Sequence, residues 1–116
     1  MAPNIRMAYE KVFHHAGRIV SLTVLPTGPN KAADAALLIL LGQKAFNGDD
    51  LVTGAQVMDG LKQSGVAVER ADRVFGPHMD TSVIRIGQHR AVKYRLTNVG
   101  LLHAKNLGDE LLEQVA

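Results

Sequence analysis

The residues with the clearest chemical potential are basic. Arg85, Arg90, Lys93 and Arg95 fall within eleven positions, with His89 among them and no carboxylate. Arg70 and Arg73 precede them at a spacing that sets both side chains on one helical face. A local cationic stripe on a chain whose net charge is only +2 suits a polyanion. Guanidinium groups neutralise phosphates and release their counterions, or read guanine through paired hydrogen bonds. The same stripe also suits a merely solvated hairpin, so charge alone does not separate the two.

Other chemistries have less to work with. Cysteine is absent, which removes disulfides, thiolate zinc sites and cysteine nucleophiles. His14 and His15 are adjacent, and on a helix they point about 100° apart, too far to share a metal. His78 and Asp80 have no third ligand nearby in sequence, and His103 falls in the last helix. No metal or cofactor is expected. Ser21, Ser64 and Ser82 sit in turn-like settings without a neighbouring base or oxyanion donor, and the phosphate-loop pattern is absent. The expectation is a binding protein rather than an enzyme, with no evident small-molecule substrate.

The elements that must position the basic residues follow from hydrophobic period. Ile5, Tyr9, Val12, Phe13, Ala16, Ile19 and Val20 share one stripe at helical spacing, which predicts a helix over 4–20 with Asn4 as its cap. Ser21 to Leu25 either extends it or forms a short strand. Pro26-Thr27-Gly28-Pro29 then breaks any helix, dividing an N-terminal helical arm, 1–29, from a domain over 30–116. Asn30 opens a second helix to about Phe46. Ala35 to Leu41 is apolar on every side, the mark of a core helix. Asn47-Gly48-Asp49-Asp50 ends it, and Leu51-Val52 reads as a very short strand.

Thr53 and Gln56 fit a capping box, and the helix they open turns Ala55, Met58 and Leu61 inward and stops at Ser64-Gly65. Val68, Ala71, Phe75 and His78/Met79 form the buried face of a helix over about 67–79, with Arg70, Arg73 and Pro77 on another face. Pro77 removes a backbone donor and predicts a kink or an end near Phe75–Gly76. The period then changes to two. Ile84 and Ile86 flank Arg85, and Val92, Tyr94 and Leu96 alternate with Lys93 and Arg95. This predicts a hairpin over 84–96 with one apolar and one basic face, His89 and Arg90 at its tip. Thr97 or Asn98 caps a last helix whose inner stripe is Leu101, Ala104, Leu107/Gly108, Leu111 and Val115.

From residue 30 this order resembles a winged helix-turn-helix domain. Thr53–Ser64 matches the first helix of the motif, Gly65 and Val66 its turn, and Glu69–Met79 the recognition helix. Asp80-Thr81-Ser82-Val83-Ile84-Arg85 resembles the exit into the wing, without the glycine usual there. Tyr94-Arg95-Leu96-Thr97-Asn98-Val99-Gly100 resembles the Tyr-x-Leu-Thr-x-x-Gly often found where the second wing strand enters a closing helix. The implied fold is mainly α with a small antiparallel hairpin, a winged helix with an extra N-terminal helix.

The implied activity is binding of double-stranded DNA by a small transcriptional regulator. Arg70 and Arg73 would face the major groove, and Arg85, His89, Arg90, Lys93 and Arg95 the backbone. Glu69 and Asp72 either weaken that affinity or pair locally with Arg73. Winged helices also serve as protein-interaction modules within larger complexes, without touching DNA, and fold alone does not decide between the two.

Length and composition are compatible with this. A chain of 116 residues, 47% apolar and 21% charged, suits one globular domain. The longest apolar run, seven residues, is far short of the roughly 20 a membrane span needs. With no signal-like start and no cysteine, the expected location is cytoplasmic. Aromatic residues are few, which argues against single-strand stacking platforms. The apolar stripe of the arm must be buried, and the expectation is against its copy in a homodimer through this helix, with packing on its own domain as the alternative. The dimer would set two recognition helices about 34 Å apart on a palindrome. A separate effector domain has no room, so control is expected from a dimer interface, a partner or occupancy.

Overall fold

The computed structural model describes residues 9–88 and 91–115. The fold is α+β, helices packed around a small antiparallel sheet and a separate two-stranded hairpin. Its centre is α1, Lys31–Asn47. Every position from Ala35 to Gln43 is buried, as an all-apolar circumference requires. Asn30 stands at the cap position without a side-chain cap bond. Gly48 takes the left-handed conformation, φ 70°, that closes the helix at its C-terminus. The buried amide of Gln43 is satisfied. Its Nε2 donates to the Arg18 carbonyl at 2.7 Å, and its Oε1 accepts from Asn47 Nδ2 at 2.9 Å.

The helix expected over 4–20 is corrected where it is described. Phe13–Ala16 is β1 and Ile19–Leu22 is β2, paired antiparallel with Ala16 opposite Ile19. The connection is the two residues Gly17-Arg18, with Gly17 at φ 61°. That positive φ breaks a helix and makes a tight hairpin. Residues before Tyr9 lie outside the described region. The hairpin is not an arm apart from the core. Tyr9, Val12, Phe13, Val20 and Leu22 join the same apolar cluster as α1. Tyr9, Val12, Phe13 and Val20 of the stripe are therefore buried on their own domain, while Ala16 is exposed, and the dimer expected through the stripe loses most of that premise.

The remaining elements follow the expected order. β3 is Val52–Thr53, and α2, Gly54–Gln63, opens with the expected capping box. Gln56 N donates to Thr53 Oγ1 at 3.1 Å, and Thr53 N donates to Gln56 Oε1 at 2.9 Å. The inward face of α2 is Val57, Gly60 and Leu61 rather than Ala55 and Met58. Gly60 faces β2 so closely that a Cβ there would stand 2.5 Å from the Val20 carbonyl oxygen. Ser64 Oγ ties the two elements by accepting from Leu22 N at 2.8 Å.

The expected helix over 67–79 is also corrected. Only α3, Ala71–Val74, is α-helical, and Gly76–His78 forms a 3-10 turn. Pro77 accounts for the break near Gly76, since it cannot donate to Arg73. The expected inner face survives the shortening. Phe75 and His78 are buried, and Arg70, Arg73 and Pro77 are exposed. His78 Nε2 meets Asp34 Oδ1 at 2.8 Å, fastening the 3-10 turn to the first turn of α1.

β4, Val83–Ile86, and β5, Lys93–Leu96, form the expected hairpin, and β3 adds to β5 in the order β3-β5-β4. The closing helix α4, Asn98–Val115, is held where it begins. Thr97 Oγ1 accepts from Gly100 N at 3.0 Å and donates to the Thr81 carbonyl at 2.7 Å. Thr97 N donates to the Ser82 carbonyl at 2.9 Å. Gly100 passes directly over that carbonyl, and a Cβ there would overlap it. These contacts give the Thr-x-x-Gly of the closing motif its physical reason. In the segment leading into β4, where the resemblance implies a glycine that is missing here, Asp80 takes φ 69°.

Two substitutions test this junction. Gly100→Ala forces α4 off the Ser82 backbone and is expected to cost about 3 kcal/mol in a denaturant melt. Gly54→Ala, whose Cβ would meet Ala71 Cβ at 3.4 Å, is the near-neutral control. Asp80→Gly relieves the left-handed strain and is expected to raise stability by up to about 1 kcal/mol.

Candidate nucleic-acid interface

The basic residues divide into two sets, and strand register decides the division. Directly opposed residues in an antiparallel pair share a face. Arg85 opposes Tyr94, and Val83 opposes Leu96, so these four lie on one face. Ile84 opposes Arg95, and Ile86 opposes Lys93, so these four lie on the other. The expected separation into an apolar and a basic face is therefore corrected. Each face carries both kinds of side chain. Val83 and Tyr94 are buried toward the core, while Arg85 projects at the exposed end of the same face. Ile86 remains 39% exposed beside Lys93.

Arg85 thereby faces α3 rather than Lys93 and Arg95. An open groove is lined by Gly54, Ala55, Arg70, Asp72, Arg85 and Tyr94. Its rim combines three elements: the start of α2, the start of α3 and the β4–β5 hairpin. The first turn of α2 has no acidic side chain, so the positive end of that helix is not neutralised from within. Gln56 N is engaged by Thr53, as the capping box requires.

Arg70 is the N-cap residue of α3, with extended backbone and no side-chain cap bond. Its guanidinium clasps Asp72 in two parallel bonds, Nε to Oδ1 at 3.0 Å and Nη2 to Oδ2 at 2.8 Å. The local pairing expected for Arg73 thus goes to Arg70. The Arg70 side chain is 57% exposed, so the clasp is worth little in stability but fixes the guanidinium plane. Arg73, in the same turn, is exposed and has no ion-pair partner among the described residues.

Lys93 and Arg95 are exposed on the far face of the sheet. Arg95 stands in a different pocket, against the end of α1 and the start of α4. His89 and Arg90 lie outside the described residues. The structure brings Arg70, Asp72 and Arg85 together and leaves Lys93 and Arg95 behind them. Asp72 is the member that sequence alone undervalues, and its two-residue spacing from Arg70 is the signal that could have found it.

The remaining candidate chemistry is structural in its setting. His15 meets Asn47 at 2.7 Å and lies against Phe46, His14 is exposed, and His78 packs edge-on to His103. Among the described residues, no group of three His, Cys, Asp or Glu stands ready to hold a metal. No described helix is long and apolar enough to cross a membrane. All five aromatic rings are buried, Tyr9 included. No protein-family model matches this chain, and none of the curated proteins and none of the solved structures matches it.

Tyr94 gives the groove a titration signature. Burial pushes its phenol above the usual tyrosine range, and the nearby Asp72 carboxylate pushes it further, while Arg85 and Arg70 pull it back. Tyr9, the only other tyrosine, is raised by burial and by Asp109. A raised phenol stays neutral in the folded state while the unfolded chain ionises near pH 10, so stability falls as pH climbs from about 10. Tyrosinate absorbance of the folded protein is expected to rise later than that of the guanidinium-unfolded chain. Tyr94→Phe should remove its share of the alkaline stability loss.

Proposed function

We propose that this chain binds double-stranded DNA as a small winged helix-turn-helix regulator. The observation that carries the reading is the convergence of Arg70 and Arg85, from separate elements, on one groove at the start of α2. Helix starts and guanidinium groups together suit the phosphate rail of a duplex. The order helix, short strand, helix, helix, hairpin, helix supports the fold assignment, as does the way Thr97 and Gly100 serve the closing motif. The burial of every aromatic ring favours a duplex over a single strand, which needs exposed stacking platforms.

The roles then divide by position. Arg73, exposed and without an ion pair among the described residues, is the base reader, on the single turn that stands for the motif's second helix. Arg70 and Arg85 hold the sugar-phosphate backbone. Asp72 restrains Arg70 and limits its affinity for anions. Lys93 and Arg95, on the far face of the wing, contribute less. A second reading, a protein-interaction module, has one observation in its favour. Val99 and Leu102, one turn apart on α4, are 64% and 63% exposed.

Fluorescence anisotropy on duplexes selected from a random pool separates these readings. Duplex affinity is expected to fall steeply with salt. Arg85→Ala should reduce the slope of log K against log salt by about one on every sequence. Arg73→Ala should cost about 1–3 kcal/mol on the selected site and relax its preference. Asp72→Asn should raise affinity for all duplexes severalfold, and Arg95→Ala should do little. Salt-independent binding, or Arg73→Ala and Arg85→Ala variants that behave as wild type, removes the proposal.

A further inference from the structure

A second concavity, at the end of β5 away from the groove, has a charge pattern of its own. It lies where the end of α1, the Asp49-Asp50 turn, the end of β5 and the start of α4 meet. Its volume is about 370 Å³, which is at the small end of the roughly 300–1,000 Å³ of ligand sites. The apolar lining is Leu40, Leu96 and Leu101, one residue from each of α1, β5 and α4. Four charged side chains, Lys44, Asp49, Asp50 and Arg95, surround this floor.

Two of the four are spent on each other. Lys44 Nζ is bonded to Asp50 Oδ1. That bond and the lysine charge hold the Asp50 carboxyl below the usual carboxylate range, and the Arg95 guanidinium adds to the effect from across the pocket. Asp49 and Arg95 are left. Neither side chain has an ion-pair or hydrogen-bond partner among the described residues, although the Asp49 backbone N–H is held by the Gln43 carbonyl. The Asp49 side chain is half-buried at the edge of the pocket.

One pocket thus presents a carboxylate and a guanidinium without a direct bonding partner, together with an aliphatic floor. We propose that it binds a small zwitterion with an apolar side chain, of the α-amino acid class. The ligand ammonium meets Asp49, its carboxylate meets Arg95, and its side chain lies on the part-exposed Leu96 and Leu101, with buried Leu40 beneath them. A guanidinium and a carboxylate match as two parallel hydrogen bonds. The first turn of α4 carries no acid, so its N–H groups favour the same end of the ligand. A simple anion leaves Asp49 unmatched, and a simple amine leaves Arg95 unmatched. The zwitterion satisfies both. This proposal does not depend on DNA binding.

The test uses the whole chain without DNA. L-leucine and L-phenylalanine are titrated by calorimetry and by amide chemical shifts. Two leucine analogues, each lacking one charge, are titrated beside them: 4-methylpentanoate and 3-methylbutylamine. At least one amino acid is expected to saturate, with shifts centred on Asp49, Arg95, Asn98 and Leu101. Each analogue should bind about 10- to 100-fold more weakly, the worth of one charged hydrogen-bonded contact. Asp49→Asn should erase the advantage of leucine over 4-methylpentanoate, and Arg95→Gln its advantage over the amine. Arg95→Lys keeps the charge and should retain part of it. The amide shifts of the unsubstituted protein remain decisive even where a variant folds poorly. No saturable shift up to the solubility of either amino acid, shifts centred elsewhere, or equal binding of both analogues overturns the proposal.

Discussion

The structure hangs on a helix that water does not reach along its middle. From Ala35 to Gln43, α1 offers no position to solvent, so every neighbouring element must cover one of its sides. The β1–β2 hairpin covers one, with Val20 and Phe13 against Gly42. α2 covers another, with Gly60 against Ile39. The 3-10 turn closes over its first turn through His78 and Asp34, and α4 and β5 pack on the rest. Apolar contact supplies most of the stabilisation, each fully buried leucine contributing roughly 2 kcal/mol. Geometry is supplied by a few polar groups, Gln43 foremost, which locate the covering elements, and no buried side-chain donor or acceptor is left unpaired among the described residues.

That arrangement explains why the basic residues stand where they do. α3 is a single turn wedged between α2 and the hairpin, and its apolar side is anchored by Phe75, which packs on Tyr94 with ring centroids 4.9 Å apart. With that side committed, Arg70 and Arg73 have only the outward side left. Tyr94 is fixed at the same time, and strand register then sends Arg85 to the Tyr94 face and Lys93 to the opposite one. The groove is thus a by-product of core packing. Arg85 is carried by a strand, Asp72 by α3, and Arg70 by the N-cap position that ends the α2–α3 connection.

Much of this was legible in the residues. The all-apolar run of α1, the Thr53–Gln56 box, the left-handed Gly65 and the alternation around Tyr94 each point to one local structure, and each is found. The N-terminal stripe was misleading. Val12, Phe13, Ala16, Ile19 and Val20 fit a helical period, yet the same residues fit two short strands folded at Gly17-Arg18. A single glycine at positive φ, Gly17, sets the turn between them, and Phe13, Val20 and Leu22 then pack in one cluster with α1. The face occupied by Arg85 was not legible at all. It depends on a one-residue choice of register, and basic and apolar residues alternate well enough for either choice. The convergence of Arg95 with Asp49 was hidden for another reason. They belong to distant segments joined only by the fold.

The Thr97 junction has a mechanical consequence. The threonine hydroxyl and amide fasten the beginning of α4 to the carbonyls of Thr81 and Ser82, immediately before β4, and Gly100 lets the helix lie flush on that backbone. No hinge is left between the eighteen-residue helix and the hairpin. The two form a lever, with the Ser82 backbone as its fulcrum. Because Thr97 alone separates β5 from α4 and is itself bonded to the residues just before β4, a displacement of the start of α4 is passed to both strands of the hairpin.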